Sequence, residues 1–328
     1  MFTNINDTFL IRDNVSRELL TKCLNFVTNQ RNLKRSKAQG AYKKNTSKSI
    51  KIPKTFDHEK IDIIIKTKYN KDFKFININK SLIFNEYNPE YDKLVKKINK
   101  YGLDKIKFFP KTYKSKNIVF QDLALGNFYR PEKLADFKSD LLSIIAEVIN
   151  QLSSKNKNKN YISSYVSKFK FSKKKDPLNL EILNNFNIFI NNNLEKKIIT
   201  SLTHGDFKFE HLFILENNLE YLVDWENVGL RSVSFDLLNF FTPWFVKRSY
   251  NYLQIKKFIF EFTKDYLPNL KKEFESKFDI YFCIFALERY MRIHNSRTIK
   301  FNLNQAYRRY NYLFKNLSQE IFNEQKNI

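Results

Sequence analysis

The chain has 328 residues, 42% of them hydrophobic, with 58 Lys and Arg against 34 Asp and Glu and a formal net charge of +24. That length holds one large domain or two lobes, and no apolar run approaches the roughly 20 residues that span a bilayer, so a transmembrane helix is not expected. The opening MFTNINDTFLIRDN lacks a basic start followed by an apolar stretch, and Cys23 and Cys283 stand alone without metal spacing; neither a signal peptide nor a disulfide framework is expected, and a cytoplasmic chain fits.

The excess of positive charge invites a nucleic-acid reading. Lysines run along the whole chain, however, not in one arm. Abundant Lys, Asn, Ile, Phe and Tyr beside only 5 Gly and 7 Pro is the bias of an AT-rich genome. The charge favours an anionic substrate or a membrane surface, with nucleic acid the weaker alternative.

Residues 14–35 carry Val15, Leu19, Leu20, Cys23, Leu24 and Val27 at helical spacing. Residues 34–51 are basic and polar and read as a loop; around Gly40, with Ser36, Lys43 and Lys44, it could cover phosphates. Strand-like runs follow at 49–56 (weak), 61–69 (strong) and 72–78, the last after an Asn70-Lys71 turn, and 82–87 could be another. Pro89–Tyr101 is a helix with Pro in its first turn. Residues 117–123 form a short buried strand. A long amphipathic helix covers 132–152, SSKNKNKN is a solvated loop, and KFKFSKKK at 168–175 is a basic patch with aromatics. Residues 178–199 read as helical, as do 255–267 and 273–294, and the tail from Gln319 is polar.

The stretch 203–226, THGDFKFEHLFILENNLEYLVDWE, stands apart. His204-Gly205-Asp206 precedes two apolar runs, Leu212–Leu215 and 221–223, divided by Glu216-Asn217-Asn218, which reads as a hairpin. Asp224-Trp225-Glu226 ends it. One acidic residue before the hairpin and another at its far end suit phosphoryl transfer, in which one carboxylate orients a hydroxyl and another holds Mg²⁺.

HGD-x-x-x-x-His, a hairpin, then DWE resembles the catalytic and metal-binding loops of the aminoglycoside phosphotransferase and choline kinase superfamily. The segment SFDLLNFF from Ser234 resembles the one that follows the metal loop in choline-kinase-like members. The resemblance implies an α+β, bilobal, protein-kinase-like fold: a small antiparallel-sheet lobe over 1–122, a mainly helical lobe over 123–328, and ATP in the cleft. It implies an ATP- and Mg²⁺-dependent small-molecule kinase acting on a hydroxyl of choline, ethanolamine, a sugar or an aminoglycoside. Asp206 would be the catalytic base, His204 a brace of its loop, Asp224 the chief Mg²⁺ ligand with Glu226 assisting, and Asp236 a structural brace. His211 stands where the family has Asn, at the second metal contact; Mg²⁺ prefers oxygen ligands.

In this fold class the third strand carries a lysine that grips the nucleotide phosphates, paired with a glutamate on a helix. Lys74 and Glu90 are the candidates, although residues 82–87, without a lysine, could be that strand. FFPKTY resembles the family's Pro-and-Tyr turn. Backbone groups at Gln121 to Leu123 would contact adenine, and Gly126 fits the loop beyond. Phe240, Phe241, Trp244, Phe245, Tyr250 and Tyr252 either pack as core or line an aromatic box for a quaternary ammonium. Rival readings are a pseudokinase-like nucleotide-binding module and a basic nucleic-acid-binding protein.

Overall fold

The computed structural model describes residues 2–5, 9–13, 15–31, 47–48, 60–66, 73–86, 89–115, 118–124, 127–128, 139–167, 187–215 and 218–295. Its contacts divide the chain into two compact units, Met1–Arg130 with Phe209–Glu226, and Pro131–Lys208 with Asn227–Ile328. The class is α+β, as expected. Among the described residues no helix is long and apolar enough to cross a membrane.

In the first unit the strands are β1 (Phe2–Asn4), β2 (Phe9–Arg12), β3 (Ser47–Lys48), β4 (Ile63–Lys66), β5 (Phe73–Asn77), β6 (Leu82–Glu86), β7 (Thr112–Ser115) and β8 (Ile118–Asp122). Among the described residues they form one antiparallel sheet in the order β3-β1-β2-β4-β5-β6-β8-β7. Alternate residues of a strand face opposite sides. On one side Phe2, Leu10, Ile64, Phe75 and Phe84 make a core. On the other, Ile63, Ile76 and Ile83 meet Leu19, Cys23, Leu24, Phe26 and Val27 of helix α1 (Arg17–Arg31). Helix α2 (Pro89–Tyr101) begins with proline, whose missing N–H costs nothing at a first turn.

A smaller sheet in this unit pairs β9 (Asn127–Phe128) with β12 (Leu212–Leu215), and β12 with β13 (Asn218–Leu222), the expected hairpin. Buried Asp62 ties strand to strand: its carboxylate accepts from the Ile78 amide at 2.9 Å and from Arg12 at 3.2 Å. Burial pushes its carboxyl pKa up, and those two partners offset the push.

The second unit holds a three-stranded sheet, β10 (Asn158–Tyr161), β11 (Lys197–Thr203) and β14 (Gly229–Ser232), with β11 central. Its helices are α3 (Ser139–Ser154), α4 (Ile162–Val166), α5 (Phe235–Lys247), α6 (Tyr252–Tyr266) and α7 (Pro268–Asn295). α3 packs on β11, and α6 on α7. Asn251 and Gln254 make a reciprocal capping box at the start of α6. α7 leaves helical geometry at Lys277 (φ −142°), beside an ion pair of that lysine with Glu273 at 2.9 Å.

Several expectations need correction. Residues 178–199 do not stay helical to their end: Lys197 to Ile199 belong to β11, whose β-branched side chains are buried on both faces. The tail of the SSKNKNKN loop is an edge strand, β10, whose exposed polar side chains carry no alternation. The Pro-and-Tyr turn runs on into β7, again an exposed edge strand. Strands β1, β2 and β14 were not foreseen. Of the two readings of the aromatics of α5, core packing is the one found: Phe241, Trp244 and Phe245 meet one another and Phe258 of α6 edge to face or tilted at 4.6 to 6.2 Å, and the Arg248 guanidinium lies 5.9 Å from the Trp244 ring. The loop around Gly40 with Ser36, Lys43 and Lys44, the Asn70-Lys71 turn, Gly126, the basic patch 168–175 and the tail lie outside the described residues.

Cys23 of α1 and Cys283 of α7 are fully buried, and burial is the main force that raises the Cys23 thiol to about 12. Its thiolate at neutral pH is then scarcer than in an ordinary cysteine by on the order of 10³. Neither thiol should react with a thiol reagent over the time in which both react in denaturant. Fast labelling of Cys23 in the native protein would contradict the packing of α1.

Candidate active-site loops and phosphate pocket

In the second unit, β11 delivers Thr203 to a loop built by hydrogen bonds to backbone. The carboxylate of Asp236, at the start of α5, accepts from the amides of His204 (2.6 Å) and Gly205 (2.9 Å). The His204 ring is fully buried, and its Nδ1 accepts from the Asp206 amide at 3.3 Å. Asn239, one turn along α5, donates to the Phe207 carbonyl at 2.9 Å. These contacts fix the backbone on both sides of Asp206. They bear out the bracing role expected of Asp236. The side chain of Asp206 is partly exposed and pairs with Lys208 at 2.9 Å.

Gly205 has φ +80°, where only glycine is unstrained. A Cβ there would lie 2.3 Å from the Asn227 carbonyl oxygen and 2.7 Å from Nη1 of Arg231. Arg231 belongs to a buried polar chain that the sequence did not reveal. Its Nη1 donates to Thr203 Oγ1 at 2.8 Å, and its Nε pairs with Glu288 of α7 at 2.8 Å. Tyr165 of α4 donates to Glu288 at 2.8 Å and accepts from the Ser232 amide at 2.9 Å. Burial, then the neighbouring glutamate, holds the Tyr165 phenol pKa well above its ordinary value. The signal available was a glutamate inside the apolar run IFALERY.

In the first unit residues 224–226, the candidate metal loop, follow the hairpin. Asp224 has φ +66°, a left-handed conformation that aspartate tolerates better than most residues, and its side chain is mostly exposed. His211, buried, brings Nε2 to 2.9 Å from Oδ2 of Asp224. The Val223 amide donates to the His211 carbonyl at 3.0 Å, so the two ends of the hairpin are locked together. Trp225 is wedged between Phe108 and Phe109, and its indole N–H donates to the Leu222 carbonyl. Lys97 of α2 donates to the Glu226 carbonyl.

Asp224 and Glu226 open onto a pocket whose other polar walls are Lys74, Asn85 and Gln121; Val119 and Phe109, with Tyr91 and Leu94 of α2, complete it. The sheet register explains the grouping. Phe75 pairs with Phe84, so Lys74 and Asn85 are one step beyond on each strand, and Asn85 pairs with Val119 while Ile83 pairs with Gln121. All four wall residues therefore share a face. Lys74 is on β5, and the strand next to it, β6, has no lysine; Asn85 takes that place. Sequence reasoning missed Asn85 because only the register exposes it. The Glu90 side chain lies outside the described residues.

Leu123 is not in the pocket. Its side chain is buried in the α1 core, its amide donates to the Ser81 carbonyl at 2.8 Å, and the Asp122 amide donates to the Lys111 carbonyl at 3.0 Å. Of the backbone groups expected to meet adenine, the amides of Asp122 and Leu123 are thus spent within the sheet. The oxygen donors Asp224 and Glu226 suit Mg²⁺, which binds through one or two carboxylates together with phosphates and water. Among the described residues no three His, Cys, Asp or Glu gather as a closed metal cage. Lys74, Asn85 and Gln121 suit phosphate oxygens.

No protein-family model and no curated protein matches the sequence. Solved structures do resemble it. An amicoumacin kinase in complex with AMP-PNP, Ca²⁺ and Ami is 13% identical over 81% of this chain and 90% of that one, at a TM-score of 0.49. A thermostable mutant of an aminoglycoside phosphotransferase, in ternary complex with AMP-PNP and hygromycin B, is 12% identical over 76% and 90%, at 0.47. A choline kinase from Streptococcus pneumoniae is 14% identical over 77% and 91%, at 0.46. These are proteins of the group that the two loop motifs resemble. With every score below 0.5, none of them assigns a role to a residue here.

Gly205→Ala should lower stability by on the order of 2 kcal/mol or more, through left-handed strain and the clash with a backbone oxygen. Chemical denaturation of the two proteins measures it. An unchanged midpoint would mean that the loop is not held as described.

Proposed function

We propose that this chain is a member of the aminoglycoside phosphotransferase and choline kinase superfamily and transfers a phosphate to a hydroxyl of a small molecule, using Mg²⁺. The observation that carries the proposal is the pocket that gathers Lys74, Asn85, Gln121, Asp224 and Glu226. One ammonium, two amides and two carboxylates converging on one space suit a metal-bound phosphate chain and little else.

Asp224 and Glu226 would hold Mg²⁺, which neutralises charge on the phosphates. Lys74 would bind phosphate oxygens. His211, with Nε2 facing Asp224, holds that carboxylate in place and is not itself a ligand in this reading. Asp206, on its clamped loop, would orient the acceptor hydroxyl and take its proton. Most of the rate would come from positioning and charge neutralisation. The aminoglycoside, choline and amicoumacin named for similar structures make candidate acceptors, and the basic surface favours an anionic one.

The chain should release ADP from Mg²⁺-ATP in the presence of one member of a panel of choline, ethanolamine, sugars and aminoglycosides. Asp206→Asn and Asp224→Asn should each reduce that release by roughly 10²-fold or more while leaving the circular-dichroism spectrum unchanged. Undiminished turnover in Asp206→Asn would remove its assigned role. Binding of Mg²⁺-ATP with no transfer to any acceptor would favour a nucleotide-binding module instead.

A further inference from the structure

We infer that the phosphate donor is recognised by its phosphates and not by its base, so that any magnesium triphosphate serves, including inorganic tripolyphosphate. The inference rests on the reading of the pocket as a phosphate site and goes beyond it.

The face of the sheet that carries Lys74 and Asn85 continues into Ile63, Ile76 and Ile83. A planar base of a bound nucleotide would find its apolar surface there, next to its phosphates. That area is already covered. Leu19, Cys23, Leu24 and Val27 of α1 pack on it in a buried cluster that also takes in Leu123. Ile63, Ile76 and Cys23 are fully buried. α1 also lies against β9 of the smaller sheet.

Two polar backbone groups at this edge are engaged by the same packing. The amides of Asp122 and Leu123, at the end of β8 where the pocket wall meets this cluster, donate to Lys111 and Ser81. The Tyr221 hydroxyl, its pKa raised to about 12 chiefly by burial, shares the Asp122 carboxylate with the Lys111 amide at 3.3 and 3.0 Å. Among the described residues, the part of this face that lines the pocket is the end with Lys74, Asn85 and Gln121, and Asp224 and Glu226 line the same pocket. Those groups address charge and oxygen atoms, which are common to all triphosphates.

The test is calorimetric titration of the full chain, with Mg²⁺ in excess, by ATP, GTP, inorganic tripolyphosphate and adenosine. A site that hydrogen-bonds a base separates these ligands by roughly 10²-fold or more, whereas a phosphate site holds the three triphosphates within about fivefold of one another. The expected result is three similar affinities, all weakened by Lys74→Ala, and no heat from adenosine. A parallel readout is mass-spectrometric thiol labelling: Cys23 should stay as protected with ATP bound as without it. Tight binding of ATP with tripolyphosphate far weaker overturns the inference and leaves the phosphotransferase reading intact. ATP binding that exposes Cys23 also overturns it, since the base would then be displacing α1. Absence of binding by every triphosphate overturns both.

Discussion

Everything at the loop of Asp206 depends on one carboxylate. Asp236 receives two consecutive amides, those of His204 and Gly205, inside a region from which water is excluded. The carboxylate offers one oxygen to each amide, Oδ2 to His204 and Oδ1 to Gly205, and the left-handed glycine turns the chain immediately beyond them. A buried amide left without an acceptor is costly, so the turn and the aspartate require each other. The Asn227 carbonyl and the Arg231 guanidinium then close on the glycine so tightly that no side chain fits. The outcome is a braced backbone that carries the partly exposed side chain of Asp206, whose carboxylate pairs with the Lys208 ammonium at 2.9 Å. In the role proposed for Asp206, a base held in this way would need no reorganisation when a hydroxyl arrives.

The metal loop achieves rigidity by other means. Its aspartate is strained and mostly exposed, and it is steadied by a buried imidazole from the far end of its own hairpin. Its tryptophan is trapped between two phenylalanines. In the role proposed for Asp224, exposure would suit a carboxylate that reaches a hydrated cation, because a fully buried one would resist ionisation. In place of the asparagine that the motif resemblance leads one to expect, His211 sets its imidazole 2.9 Å from the Asp224 carboxylate and fixes its orientation.

The candidate loops were legible in the sequence because their residues are local. HGD, DWE and SFDLLNFF each lie within a few positions, and the hairpin between the first two carries its own turn signal. Long helices were equally plain, since burial stamps a 3.6-residue period on Leu141, Ile145, Val148 and Leu152 of α3. The edge strands β7 and β10 were hidden for a physical reason: with one neighbour and mostly exposed side chains, they carry no alternation to read. Lys74 was a candidate because it lies in a strand-like run that the sequence shows, and the structure places it on β5 at the pocket wall. Its neighbour Asn85 depends on strand register, and the pairing of Arg231 with Glu288 spans two elements far apart in sequence. The covering of the sheet face by α1 was beyond reach too, because helical periodicity says that a helix has an apolar side and not what it covers.

Amide hydrogen exchange at His204 and Gly205 bears most directly on the central claim, the clamp that fixes the loop of Asp206. In the native protein both amides should exchange only at the rate of global unfolding, and in Asp236→Ala both should exchange orders of magnitude faster while core amides of β11 such as Leu202 stay protected. Rapid exchange at these two positions in the unsubstituted protein would show that the loop is not held, and the account of a preorganised base would be wrong.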